Sequence, residues 1–228
     1  MGGGRGWLVV FEGGEGVGKS TQLALVAERL AAAAVPHRIC REPGGTPLGD
    51  RVRELLLHAD VAVAPAAEAA LFAASRAQLV ADVLQPALAA GEVVLLDRFL
   101  LSTYAYQVGG RGLPEGPVRE ANRLATDGIV PDLTLVLTLG PSTGPDGGLT
   151  RATTRGPADR IERADAGFHA RVAEAFRTFT AAAWQATHPE CGPIIAIDAD
   201  GSVATVQARI AERLAAAIPP CRALVGTA

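Results

Sequence analysis

Apolar positions along this chain fall into two periods. Short apolar runs closed by Gly, Pro or an acid occur at WLVVFE (7–12), EVVLLD (92–97), LTLVLTL (133–139) and PIIAID (193–198), the pattern of strands buried on both faces. HRICR (37–41) is a further strand candidate. Between these runs the spacing turns helical, at 19–34, about 48–58, about 66–89, about 165–187 and 202–217, with Pro86 expected to kink or end the third segment. EPGGTP (42–47) is a loop by its Pro and Gly content, and GPSTGPDGG (140–148) reads as a mobile surface loop. Strands alternating with helices predict an α/β fold, a parallel five-stranded sheet flanked by helices on both faces.

Composition narrows this to one domain. A chain of 228 residues with 49% hydrophobic content buries one sizeable core. The expected organisation is a flexible N-terminus at 1–6, a domain at 7–218 with a mobile lid at about 140–163, and a tail at 219–228. A net charge of −3 lacks the basic excess that nucleic acid demands, so no nucleic-acid partner is expected. Cys40, Cys191 and Cys221 are odd in number and lack a C-x-x-C spacing, which suggests reduced thiols rather than disulfides or zinc. With no signal-like leader and no long uncharged apolar run, a soluble cytoplasmic protein without membrane contact is expected.

Charge type changes the picture more than charge total. Of the 21 Lys and Arg residues, Lys19 alone is lysine. It sits in Gly13-Gly14-Glu15-Gly16-Val17-Gly18-Lys19-Ser20-Thr21, a phosphate-binding loop after a predicted strand and before a predicted helix, the context in which that pattern is informative. Glycines allow the backbone to curl so that its N–H groups and the helix N-terminus point at phosphate oxygens, Lys19 reaches the β- and γ-phosphates, and Ser20 reaches Mg²⁺. A compact ammonium fits there where a planar guanidinium does not. A glycine turn with an incidental lysine is the competing reading. Asp97 ends a predicted strand, where it holds the Mg²⁺ shell or caps a helix.

The loop alone covers GTPases, ATPases and kinases. The guanine-reading N-K-x-D pattern is excluded, because the single lysine is already used. Mechanical and DNA-translocating ATPases are usually larger and carry further motor elements, so a small kinase is the best remaining class, and it needs an acceptor site. Phe72 and Arg76 share a helical face, suited to stacking on and hydrogen-bonding a heterocyclic base; core packing with a snorkelling arginine is the alternative. Arg98 beside Asp97 suits an acceptor phosphate. In the turn that follows, Thr103 and Gln107 share one face, and Ser102 and Tyr106 the next.

The stretches FEGGEGVGKSTQ, REPGGTPLGDRVRELLL, AALFAASRAQLV, LLDRFLLSTYAYQ, GGRGL, PDLTLVL and RGPADRIE occur in order across residues 7 to 165, and on them the chain resembles the thymidylate kinase family. The resemblance implies a P-loop NTPase-type fold, transfer of phosphate from ATP to dTMP with Mg²⁺ in dTTP biosynthesis, and a homodimer. It implies that Phe72 stacks on thymine and that Arg76 with Thr103 or Gln107 meets its polar edge. Arg98 then binds the dTMP phosphate, with Arg41, Pro43 and Arg53 near it. Glu15 approaches the sugar 3′-hydroxyl, and Ser102 and Tyr106 line the pocket, Tyr106 crowding the 2′ position. A cis Glu42–Pro43 bond is implied as well. A kinase of another nucleoside monophosphate or of a deoxynucleoside is the nearest alternative. A regulatory NTP-binding module is the alternative from another class.

The departure from the family lies at 139–155, where LGPSTGPDGGLTRATTR replaces the usual Pro-initiated basic helix. Phosphoryl transfer draws on cations placed around the migrating group. The variable loop positions Gly14, Glu15, Gly16 and Val17 supply none, so the further charge is expected from the lid, from Arg155 and Arg160, with Arg151 as its other basic residue.

Overall fold

The computed structural model describes residues 5–58, 61–140 and 159–225. Five parallel strands form one sheet in the order β2-β3-β1-β4-β5, with β1 Trp7–Glu12, β2 His37–Arg41, β3 Val93–Asp97, β4 Leu133–Thr138 and β5 Ile194–Asp198. Side-chain alternation sends Leu8 and Val10 to one face and Val9 and Phe11 to the other, and each face has its own core. Because both faces are buried, the strands read as unbroken apolar runs.

One face is covered by α1 (Lys19–Ala32) and the late helix Val203–Ala217. The other carries α2 (Pro47–His58), α3 (Pro65–Leu79) and the segment Leu100–Gly110. The latter segment starts α-helical (α5, Leu100–Thr103) and widens to a π-helix over Tyr104–Gly110.

The expected helix over 66–89 is interrupted without being broken. α3 passes through a wider π-helical turn at Val80–Leu84 into α4 (Gln85–Ala89), which carries Pro86 in its first turn. The wider turn absorbs the hydrogen bond that Pro86 cannot donate. After α6 (Glu115–Thr126), the helix expected at 165–187 divides into α7 (Ala166–Phe179) and α8 (Ala182–Thr187), and α9 is Val203–Ala217.

The boundaries also differ. Pro219–Leu224, read as tail, forms a 3₁₀ turn that buries Cys221 and Leu224. Arg5 pairs with Asp132 at 2.8 Å, and Gly6 N–H donates to the Leu88 carbonyl, so chain order begins before Trp7. Most of GPSTGPDGG, with Arg151 and Arg155, lies outside the described residues.

Parallel strands end at the same edge of the sheet, and that edge positions the site. Phe11 of β1 stands level with Asp97 of β3, so the glycine loop after β1 and the Asp97-Arg98 pair after β3 emerge side by side.

Candidate functional site

The glycine loop starts under a steric demand. Gly13 has φ +133°, and a Cβ there would lie 2.4 Å from the Leu137 carbonyl oxygen of the neighbouring strand. Only glycine brings the loop this close to the sheet. Gly18, at φ +96°, then turns the chain into α1 at Lys19. Lys19 is buried, and its ammonium donates to the carbonyls of Gly13 (2.9 Å) and Gly14 (2.6 Å). Burial, aided by the charge of Arg98, lowers its pKa from 10.5 to about 8. Ser20 Oγ donates to Asp97 Oδ2 at 2.9 Å, which joins a hydroxyl to a carboxylate at the mouth of the loop.

Arg98 occupies the left-handed region at φ 71°, unusual for a bulky residue and characteristic of functional sites. Its guanidinium donates to Gly13 O (3.1 Å), Ser102 Oγ (3.1 Å) and Glu15 Oε1 (2.9 Å), and it stacks 5.2 Å from the Tyr106 ring centre. Tyr106 donates its hydroxyl to the same Glu15 oxygen at 2.6 Å. Burial pushes Glu15 upward, but Arg98, Lys19 and the Tyr106 hydroxyl outweigh it and hold the carboxyl at about 2. Glu15 is therefore a fixed anion at neutral pH.

These groups border an open cleft lined by Glu15, Glu42, Pro43, Arg53, Leu57, Phe72, Arg98, Ser102, Thr103, Tyr106, Gln107, Asp159, Ile161 and Glu162. Nine side chains expected at the site thus share one cavity. The Glu42–Pro43 bond is cis, and Arg53 donates to Pro43 O at 3.0 Å. Arg41 stands apart, largely exposed and 3.4 Å from Asp50.

Arg76 differs most from expectation. It is 1% exposed and stands behind the cleft wall, where it pairs with Glu42 (2.6 Å) and donates to Asn122 Oδ1, Phe99 O and Thr103 Oγ1. Burial pushes Glu42 upward against the pull of Arg76. Arg160 does not line the cleft; it donates to Leu56 O (2.8 Å) and pairs with Glu68 (2.6 Å).

Three buried carboxylates were missed in the sequence. Glu12, 0% exposed at the end of β1, accepts Phe99 N–H and Ser102 N–H on Oε1 and the Ser102 hydroxyl on Oε2. Glu42 and Glu68 are the others. A charge inside the apolar run WLVVFE was the available signal for Glu12; the other two lie in segments where charge is ordinary.

The donor set suits a hard cation. Ser20 Oγ and the Asp97 carboxylate offer oxygen ligands beside the phosphate loop, and no cluster of three or more His, Cys, Asp or Glu residues suited to a metal occurs among the described residues.

The family model described as thymidylate kinase matches residues 11–210. The thymidylate kinase of Synechococcus sp. (strain JA-2-3B'a(2-13)) is 48% identical over 203 residues, covering 89% of this chain and 91% of that protein. The thymidylate kinase of Deinococcus radiodurans is 49% identical over 172 residues, covering 75% and 82%. The crystal structure of thymidylate kinase from Ehrlichia chaffeensis superposes with a TM-score of 0.69 at 26% identity, covering 92% of this chain and 99% of that one.

Proposed function

Given that the chain belongs to the thymidylate kinase family and phosphorylates dTMP to dTDP at the expense of ATP, we propose that the cleft beside the glycine loop is its dTMP site and that its side chains divide the work as follows. The observation that carries this reading is that Arg98 and Lys19 donate to one acceptor, the Gly13 carbonyl, so a phosphate gripped by Arg98 would lie next to the ammonium that holds those of ATP.

Lys19 and the loop amides hold the β- and γ-phosphates of ATP. A phosphate oxygen of dTMP attacks the γ-phosphorus, forming one O–P bond as the bond to the β-bridging oxygen breaks and leaves ADP. The nucleophile is already anionic, so no general base is required, and catalysis rests on positioning and charge. Ser20 and Asp97 would hold Mg²⁺, which would supply charge neutralisation to the ATP phosphates when bound. Arg98 binds the acceptor phosphate, with Arg53 and Arg41 toward its outer side. Glu15 and Tyr106 face the sugar.

Base choice follows from hydrogen-bond polarity. Phe72 offers the stacking face. Thr103 Oγ1 accepts from Arg76 at 2.8 Å, so its own proton is available to a ring carbonyl, and Arg76 acts through Thr103. Gln107 donates its amide N–H to Glu68 at 2.8 Å, so its carbonyl is the acceptor available to N3–H. Thymine matches this pair; cytosine, with an acceptor N3 and an amine at C4, opposes both.

Two further properties belong to this reading. Leu48 and Leu55 on α2 and Leu124 on α6 are exposed, and α3 packs against both helices, a face suited to a homodimer. Three buried free thiols and the absence of a membrane-length apolar helix among the described residues suit a cytoplasmic protein. Coupled ADP release with ATP, Mg²⁺ and each nucleoside monophosphate tests the whole. Strong preference for dTMP is expected, since mismatched buried polar groups cost roughly 10⁴-fold; comparable efficiency with dCMP overturns the base reading.

A further inference from the structure

Glu68 is the most heavily engaged carboxylate beside the cleft, although it does not line it. It is 1% exposed on α3 and accepts from three side chains on two other segments. Gln107 Nε2 donates to its Oε1 at 2.8 Å, Arg111 donates to both oxygens at 3.2 Å, and Arg160 donates to Oε2 at 2.6 Å. Burial raises the pKa of this carboxyl, but the hydrogen bonds from Arg111, Gln107 and Arg160 outweigh it and leave a net lowering. It is ionised at neutral pH, and an ionised carboxylate only accepts.

That restriction reaches the neighbouring amide. A primary amide has a donor end and an acceptor end, and rotation by half a turn exchanges them. Facing Glu68, the Gln107 amide is held with its NH₂ inward, because a flip would set two oxygens against each other in a buried site. We propose that Glu68 is the residue that sets base choice, as a positioning residue that locks Gln107 with its carbonyl available to an N3–H donor and closed to an N3 acceptor. This rests on the assignment of Gln107 as a base reader made above.

A merely structural Glu68 would lower activity toward every nucleotide alike. A polarity lock changes the ratio between them. Glu68→Gln retains shape and supplies both an acceptor and a donor, so the Gln107 amide can turn. The ratio of kcat/KM for dTMP to that for dCMP is expected to fall at least about tenfold, with dCMP turnover rising in absolute terms. Arg111→Ala leaves the Glu68–Gln107 bond in place and is expected to keep the ratio within about threefold of the parent enzyme. If Glu68→Gln does not fold, Glu68→Asp decides by the same ratio: it keeps the charge for the arginines but draws the oxygen back from Gln107 by about one methylene. An unchanged ratio in the folded Glu68 variant, or an equal fall in Arg111→Ala, overturns the proposal. A parent enzyme that shows no preference for dTMP over dCMP overturns the base assignment itself, a separate outcome read from the same assay.

Discussion

Lys19 and Arg98 donate to one and the same acceptor, the carbonyl oxygen of Gly13, at 2.9 and 3.1 Å. The cation suited to ATP phosphates and the cation suited to the acceptor phosphate therefore meet at a single backbone atom. Their mutual repulsion contributes to the low pKa of Lys19, a tension that an incoming phosphate relieves. The left-handed backbone at Arg98 belongs to the same arrangement, since it aims the guanidinium back at the loop.

Lys19→Ala is expected to lower kcat by roughly 10²-fold or more, the usual effect of removing a preorganised charge from the transition state. No second lysine exists to replace it. Single-turnover kinetics at saturating ATP separate this from lost binding, and retention of more than about a tenth of parental turnover contradicts the assignment.

The pH dependence follows from the same ammonium. Its pKa is lowered from 10.5 to about 8 in the ligand-free enzyme, so the charged form that binds phosphate is lost as pH rises through about 8. Bound phosphates favour the charged form and move this titration upward. kcat/KM for ATP is expected to decline above about pH 8 while kcat holds to higher pH, because the first reports free enzyme and the second the complex. Coincident limbs in the two profiles would show that another group is titrating.

Glu12→Gln tests the support beneath Arg98. Ser102 Oγ donates to Glu12 at 2.7 Å while accepting from Arg98 at 3.1 Å. With the Gln carbonyl turned to the two backbone N–H groups, its NH₂ faces Ser102, whose hydroxyl then meets two donors and has no acceptor for its own proton. A stability loss of about 1–3 kcal/mol is expected by denaturant titration, as for an unsatisfied buried polar group. The Arg98 guanidinium also loses its fixed neighbour, so KM for dTMP is expected to rise more than KM for ATP. Equal changes in both constants would place Glu12 outside the acceptor site.

The contrast between Glu12 and Lys19 shows what the sequence makes legible. Lys19, Ser20 and the glycines act within one loop, so residue type and spacing carry their role. Asp97 and Arg98 are readable because a buried strand ends at them. Glu12, Glu42 and Glu68 act through partners 87, 34 and 39 residues away in the chain, and linear spacing holds no trace of such pairings. Arg76 was misplaced for a related reason: its helical face with Phe72 is evident, but the buried acceptors that draw it behind the wall come from other segments. The helix pattern across 80–89 was visible, whereas the π-helical turn that accommodates Pro86 is settled by tertiary packing.

Arg155 and Arg160 were expected to act alike as lid cations, and the position of Arg160 separates them. Its backbone N–H donates to Leu57 O, and its guanidinium to Leu56 O and Glu68, so it ties the turn at Asp159–Glu162 to α2 and α3. A guanidinium bound in this way would have to give up a buried ion pair before reaching ATP. Arg155 lies outside the described residues; because Arg160 is held in this way, we propose that Arg155 is the lid residue that supplies the transition-state charge. Arg155→Ala is expected to lower kcat by roughly 10²-fold or more with little change in dTMP affinity, the mark of an interaction made mainly at the transition state. Arg160→Ala leaves Glu68 short of one partner, so it is expected to lower thermal stability, with a kcat loss of less than about tenfold. Parallel kcat, calorimetric dTMP binding and melting measurements on both variants decide the matter. A large kcat loss in Arg160→Ala with unchanged melting would mean that the guanidinium leaves Glu68 during turnover, and near-parental turnover in Arg155→Ala would remove the lid as the source of the charge.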